Sequence, residues 1–327
     1  MNVLVMNVGS SSLKASLWHD EEPVWKVNQK LGEKPNVPED RIDVIGHRIV
    51  HGGQSFREPV IIDKNVLAEI RRLAEFAPEH NRTEADIIDQ MWHFNVPQIA
   101  VFDTAFHATI PPEAYVYGGP HEWLDQGIRR YGFHGISHQY VSRKAAETLR
   151  RPIGELKLVS CHLGNGCSLT AIRNGQSVDT TMGFTPLEGL VMGTRSGSVD
   201  PGILIYLLRR CDVNQLDRTL NKESGLKGIS GLSGDMREIE AAMDQGNERA
   251  KLAFDVFIHR LCREIGAMTA SAGGHDALIF TGGIGENSQR VRDAVTARMS
   301  FPRVLVIPTD EEREIARQCR LTMNQGA

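Results

Sequence analysis

One local pattern occurs twice in this chain, and the repetition constrains the fold more than any other feature. Near the start, the apolar run Val3-Leu4-Val5-Met6 leads straight into Asn7-Val8-Gly9-Ser10-Ser11-Ser12-Leu13-Lys14. Deep in the chain, Leu158-Val159-Ser160-Cys161-His162-Leu163 leads into Gly164-Asn165-Gly166-Cys167-Ser168-Leu169. Both read as strand, tight glycine turn and returning strand. The exits are alike as well, Ser12-Leu13-Lys14-Ala15 beside Ser168-Leu169-Thr170-Ala171. A turn of this kind points backbone N–H groups at one spot, and hydroxyls and a lysine add donors and charge, which suits phosphate. A single Gly/Ser turn is most simply a tight hairpin. The matched pair predicts a duplicated domain closing on a nucleotide.

A chain of 327 residues is long for a single core, so two domains are expected, with the first half ending near Pro152. The net charge of −4 gives no electrostatic case for nucleic acid or an anionic membrane. Five cysteines, an odd number with no C-x-x-C pair, argue for reduced thiols rather than a disulfide frame or a zinc site. Asn7 and Gly9 interrupt the N-terminal apolar run too early for a signal peptide. No stretch approaches the roughly 20 apolar residues of a membrane helix. The expectation is a soluble, cytoplasmic protein.

The elements alternate between strand and helix. Strands are expected at 44–50, 99–102, 158–163, 278–280 and 304–307. Residues 99–102 deliver Asp103 to a strand's C-terminal end. Asp63 is an acceptable N-cap for one helix, a second covers 83–92, and a third begins at Gly135 and runs towards Leu149. Asn174-Gly175 is the strongest short hairpin signal. Residues 110–120 read as loop. The glycine-rich stretch 183–202 reads as a long irregular segment, which in a compact chain is usually functional. Ala253, Val256, Phe257, Leu261, Ile265 and Met268 recur at helical spacing, as core or a subunit contact. Thr309 and Glu312 fit a capping box, which would leave Glu311 free. The chain has neither G-x-x-x-x-G-K-[ST] nor a helix-opening G-x-G-x-x-G after a strand, so the P-loop and dinucleotide-binding readings are poor.

Taken together, the motifs resemble the acetate kinase family, within the larger group of sugar kinases, Hsp70 and actin. The resemblance rests on residues 7–14, Gly46-His47-Arg48-Ile49-Val50-His51-Gly52-Gly53, Phe102-Asp103-Thr104-Ala105-Phe106-His107, Arg129-Arg130-Tyr131-Gly132-Phe133-His134-Gly135, 161–166, Met192-Gly193-Thr194-Arg195-Ser196-Gly197 and 280–286. These blocks span most of the chain in the family's order. The resemblance implies an α/β fold of two related lobes, the actin-like ATPase (ribonuclease H-like) fold with an interlobe nucleotide cleft. Residues 1–152 with 305–327 would form the carboxylate and metal lobe, closed by the C-terminal helix. Residues 153–304 would form the nucleotide lobe and carry dimer contacts.

The implied reaction is reversible transfer of the ATP γ-phosphoryl to acetate, giving acetyl phosphate and ADP. A carboxylate is already ionised at pH 7, so no strong base is needed. The difficulty is to bring two anions together and neutralise an in-line transition state, which calls for arginines, a metal and positioned donors. The resemblance gives Arg48 and Arg195 those charges, since guanidinium meets carboxylate and phosphoryl in bidentate fashion. His134 would donate to the transferring phosphoryl. Asp103 matches the family's catalytic aspartate, and the charge argument makes it an orienter of an arginine or a holder of metal-bound water. Asn7 and Glu311 match the positions at Mg2+, with Mn2+ an alternative; alone, Glu311 would read as a helix-dipole carboxylate. Ser10, Ser12 and Lys14 would contact phosphates, as would His162, Leu163, Gly164, Asn165 and Gly166. Asp235, Met236, Arg237 and Gly282, Gly283, Ile284, Gly285, Glu286 match adenosine-side segments. Arg48, Val50, His80, Phe133 and Pro186 match the acyl pocket. For His80 a structural role is an even alternative.

The chain departs from the family pattern at Glu79, where leucine is usual, and at Arg82, where proline is usual. A carboxylate in an apolar pocket for an anion is unfavourable on two counts, desolvation and like charge. That leaves a propionate or butyrate kinase as one alternative, and a non-catalytic actin-like nucleotide switch as another of a different class. Family analogy implies a homodimer.

Overall fold

The computed structural model describes residues 1–9, 12–31, 33, 37–38, 40–77 and 80–325, so Ser10 and Glu79 lie outside the described residues. The chain divides into two compact units. One comprises Met1–Ala108, Phe133–Tyr140 and Asp310–Ala327; the other comprises Thr109–Gly132 and Val141–Thr309.

The first unit is built on strands β1 (Asn2–Val8), β2 (Ser12–His19), β3 (Glu22–Lys30), β4 (Val44–Ile49), β5 (Val60–Ile61) and β6 (Gln98–Phe102). Their order across the sheet is β3-β2-β1-β4-β6-β5. β1 pairs antiparallel with β2 and parallel with β4, and β4 pairs parallel with β6. The unbroken apolar runs of β1, β4 and β6 follow from burial on both faces. Val3, Val5, Val44, Ile99 and Val101 pack on one side with Ile136, Ile315 and Cys319. Leu4, Met6, Val8 and Ile45 pack on the other with Ile87 and Met91. The C-terminal helix, Glu311–Gln325, lies on β1 and β4. A Cβ at Gly46 would fall 2.5 Å from the Cys319 sulfur, so the helix can rest there because position 46 has no side chain.

The second unit repeats the arrangement. Strands β7 (Lys157–Leu163), β8 (Cys167–Arg173), β9 (Gln176–Thr180), β10 (Ala277–Thr281) and β11 (Val304–Val306) are ordered β11-β10-β7-β8-β9. β7 is antiparallel to β8 and parallel to β10, which pairs parallel with β11. The sense of pairing along β9-β8-β7-β10-β11 is that of β3-β2-β1-β4-β6, so the duplication seen in the two turns extends to the sheets. Asn174 and Gly175 both take positive φ, 56° and 79°, as a two-residue hairpin turn requires. The helix Glu248–Ala272 lies on β7, β8 and β9, and its Ala253, Phe254, Phe257, Ile258, Leu261 and Ile265 are buried. Val256 is half-buried. No helix among the described residues is long and apolar enough to cross a membrane.

Three expectations change. β3 was not foreseen, because its alternation of partly buried and exposed residues is that of an outer strand of the sheet. The stretch read as loop at 110–120 holds a short helix, Pro112–Tyr115, with proline at its favoured first position. The last helix is capped by Asp310, whose Oδ1 accepts from the Arg313 amide at 3.0 Å. Thr309 is not the cap: its amide donates to Glu286 at 3.1 Å.

Candidate active site

In the first unit the β4 and β6 ends bring Arg48 and Asp103 together. Arg48 Nε donates to Asp103 Oδ1 at 3.2 Å, one terminal nitrogen donates to Oδ2 at 2.5 Å, and the other to the Val8 carbonyl at 3.0 Å. Asp103 is 1% exposed and Arg48 13%. Burial works against the guanidinium charge, but Asp103 and Glu311 outweigh it and hold Arg48 protonated. Burial pushes the Asp103 carboxyl up to about 6, with Arg48 pulling down and Glu311 pushing up. Arg48 therefore presents a guanidinium fixed by a bidentate ion pair and a backbone carbonyl.

Glu311, in the first turn of the last helix, lies 4.0 Å from Arg48 Nε and accepts from Asn7 Nδ2 at 3.4 Å. Asn7 and Glu311, expected at a metal, are thus neighbours. An amide oxygen and a carboxylate are hard donors of the kind Mg2+ takes, and Mg2+ commonly fills its remaining positions with water and substrate phosphate. The chain's own donor set fits that ion.

The first glycine turn closes through Gly9 N–H to the Ser12 carbonyl, 2.8 Å. Lys14 stands directly opposite Asn7 in the β1–β2 ladder and is exposed. His134 precedes the helix Gly135–Leu149 in a left-handed conformation, φ 57°, which is strained for a non-glycine residue. The adjacent Gly135 amide donates to the Asp103 carbonyl at 2.9 Å. A Cβ at 135 would lie 2.2 Å from that carbonyl, so glycine permits this contact and draws His134 to the end of β6. Val50 and Phe133 are both buried. His51 sits edge-on to the Phe133 ring at 5.6 Å. His80 is half-buried at the start of the helix Asn81–Met91.

In the second unit, the turn after β7 closes through Gly164 N–H to the Gly166 carbonyl at 3.0 Å, as the first turn does. The irregular stretch 183–202 is tied to it, since the Gly193 amide donates to the Asn165 carbonyl at 3.1 Å. A Cβ at 193 would meet Asn165 Oδ1 at 2.2 Å and the Gly234 carbonyl at 3.0 Å. Arg130 holds the start of the stretch through Glu188 at 2.7 Å and the Thr180 and Met182 carbonyls, both at 3.0 Å. Arg195 reaches the Pro186 carbonyl at 3.5 Å, which joins two of the predicted residues.

Beside that turn a cavity of about 790 Å³ is lined by Gly164, Asn165, Asp235, Met236, Gly283 and Ile284, among others. These are the two segments expected on the adenosine side together with the glycine turn. Asp235 caps the helix Met236–Asp244 and pairs with Arg237 at 2.5 Å. Gly282, Gly285 and Glu286 do not line the cavity. Glu286 turns back to accept from the Gly282 amide at 2.8 Å.

The residue reading missed Gly234, Glu240, Asn287 and Ser288 in that lining. Glu240 is one helical turn beyond Met236, so the helical period carried the signal; its carboxylate accepts from Ser288 Oγ at 2.5 Å. Glu84 was also missed. It is 1% exposed, accepts from the Val50 amide at 3.0 Å, and burial pushes its carboxyl up to about 8 against the pull of Arg48. The signal there was an acid one position before Ala85 in the buried stripe Ile87, Ile88, Met91.

A family model described as the acetokinase family matches residues 22–323. Acetate kinase of Nostoc punctiforme is 54% identical over 307 residues, covering 85% of this chain and 76% of the relative. A crystal structure of Porphyromonas gingivalis acetate kinase superposes with a TM-score of 0.90 at 34% identity, covering 98% of this chain and 99% of that one. A propionate kinase from Francisella tularensis superposes at 0.88 with 35% identity, covering 97% and 98%. The fold is the two-sheet fold of the sugar-kinase and actin-like ATPase group. The chain belongs to the acetokinase family and is a phosphotransferase acting on a carboxylate.

Proposed function

We propose that the chain is an acetate kinase, which interconverts ATP and acetate with ADP and acetyl phosphate by direct in-line transfer. The observation that carries this reading is the Arg48 guanidinium, held near the end of β4 by Asp103 and the Val8 carbonyl. Arg48 takes the substrate carboxylate, and Val50, Phe133 and Pro186 take its methyl group. A carboxylate oxygen attacks the γ-phosphorus, the bond to the β–γ bridging oxygen breaks, and ADP leaves with that electron pair. No proton has to move, because the nucleophile is already an anion. Asp103 orients Arg48, which the bidentate contact supports over the alternative of holding metal-bound water. Arg195 and His134 stabilise charge on the transferring phosphoryl.

Ser12 and Lys14 in the first unit, and His162, Gly164, Asn165 and Gly166 in the second, contact phosphates. The cavity at Asp235–Arg237 and Gly283–Ile284 takes the adenosine. Asn7 and Glu311 would hold Mg2+, which would neutralise phosphate charge. The exposed apolar residues Val199, Ile203, Ile205, Tyr206 and Leu208 in and around the helix Pro201–Leu207 support a homodimer. Sedimentation of the protein and of Ile205→Glu tests this, with a monomeric wild type as the contrary result.

The similarity to a propionate kinase motivates a second reading, a preference for a slightly longer acid, which is not favoured over the first. Trapping the acyl phosphate as a hydroxamate, with acetate, propionate and butyrate in parallel, decides between them. Acetate should be the best substrate; inert acetate beside an active longer acid would reject the first reading.

A further inference from the structure

The strand that carries Arg48 does not end in the sheet. β4 stops at Ile49, and Val50 and His51 run on without ladder partners. Their backbone groups are taken instead by two side chains from one turn of the helix Asn81–Met91. Asn81 Oδ1 accepts from the His51 amide at 3.1 Å, and its Nδ2 donates to the His51 carbonyl at 2.9 Å. Glu84 Oε2 accepts from the Val50 amide at 3.0 Å. Asn81 and Glu84 are three apart on one helix face, and both are fully buried. A buried amide left without an acceptor is costly, so this clamp fixes where the strand exit lies.

The second oxygen of Glu84, Oε1, is buried and has no hydrogen-bond partner among the described residues. An ionised carboxylate so placed, with a single N–H partner, is strongly disfavoured. Arg48 and Asp103 are the charged neighbours that act on it, the first favouring its ionisation and the second opposing it. The outcome is a carboxyl pushed up to about 8, neutral at neutral pH. Charge economy at Arg48 gives this a function. Asp103 already pairs with the guanidinium, and Glu311 stands 4.0 Å away. A third carboxylate would repel the anion that Arg48 is there to bind. A neutral acid supplies the acceptor for the Val50 amide without adding that charge.

We propose that Glu84 is a positioning residue, holding the β4 exit through the Val50 amide so that Arg48 and Val50 meet the substrate carboxylate. This deepens the reading of Arg48 given above and rests on it.

The test uses the 327-residue chain with Glu84→Ala, Glu84→Gln and Glu84→Asp. Initial rates by hydroxamate trapping give KM for acetate and for ATP and kcat, and hydrogen exchange by mass spectrometry follows the peptide covering residues 48–53. A misplacement near 1 Å costs about a hundredfold in rate. Glu84→Ala should therefore raise the acetate KM and lower kcat by about tenfold or more, leave the ATP KM unchanged and speed exchange at 50–53. Glu84→Gln, neutral and able to accept from Val50, should stay within about threefold of wild type on every measure. Glu84→Asp, a methylene short, should fall between them. The proposal is overturned if Glu84→Ala exchanges and turns over as wild type does. It is also overturned if Glu84→Gln is as damaging as Glu84→Ala, since the charge rather than the acceptor would then matter. Arg48→Ala serves as the separate control: an unchanged acetate KM there rejects the role of Arg48, whereas exchange at 50–53 still reports on the hold by Glu84.

Discussion

Removing the Asp103 carboxylate tests whether the Arg48 pair organises the site. In Asp103→Ala the guanidinium, 13% exposed, keeps the Val8 carbonyl at 3.0 Å and Glu311 at 4.0 Å but loses both oxygens that fix its plane. Stranding one partner of a buried ion pair costs about 3–5 kcal/mol. Asp103→Asn keeps the shape and one accepting oxygen but turns an amide NH2 towards guanidinium N–H groups. The loss of one charge-assisted bond sets its cost at about 1.5–3 kcal/mol. The double variant Arg48→Ala/Asp103→Ala buries no unpaired charge, so it should be more stable than the sum of the single losses predicts. Its activity should nevertheless be lost by at least about a hundredfold, as in the single variants, since no guanidinium remains in place. Urea unfolding followed by tryptophan fluorescence suits the measurement, because Trp18, Trp25 and Trp92 of the 4 tryptophans lie in the first unit. Wild-type stability in Asp103→Ala, or strict additivity in the double variant, would show that the Arg48–Asp103 pair does not organise the site.

Arg195→Ala should lower kcat by about a hundredfold or more while circular dichroism stays native, as loss of charge stabilisation in the transition state predicts; near-normal turnover removes Arg195 from the mechanism. Gly135→Ala places a methyl group 2.2 Å from the Asp103 carbonyl and must shift either β6 or His134. Its kcat should fall about a hundredfold with the ATP KM unchanged, and wild-type kinetics would show that this close approach does not matter. The Glu84 carboxyl titrates at about 8 in the fold and near 4.5 when unfolded. The folded chain therefore binds a proton that the unfolded chain has released between those values. The stability it contributes is full below about 4.5 and is lost as pH rises through about 8. Unfolding free energies from urea titrations of wild type should fall relative to Glu84→Gln between pH 5 and 8, by about 1.4 kcal/mol per pH unit at most. A constant difference across that range would show that Glu84 stays ionised.

Much of the site was legible from local pattern. The two glycine turns, the strand delivering Asp103, the Asp63 cap and the Asn174-Gly175 hairpin all stand where the residues put them. Each depends on backbone preferences and on apolar spacing within about ten residues, which a single chain displays directly. The cap of the last helix was misread, because Thr309 and Asp310 are both competent caps. What separates them is where the helix begins, at Glu311, which puts the Asp310 carboxylate in reach of the Arg313 amide.

By itself, then, the amino-acid order determined the duplicated strand-turn-strand frame and the family, through motifs long enough to admit one reading. Tertiary structure decided the electrical state of the site. Asp103 became the partner of Arg48, and Glu84 an acid that burial keeps protonated, because dielectric surroundings and hydrogen-bond partners are set by segments far apart in sequence. Charge in a folded protein depends on which groups are removed from water together, and the order of residues along a chain does not state that.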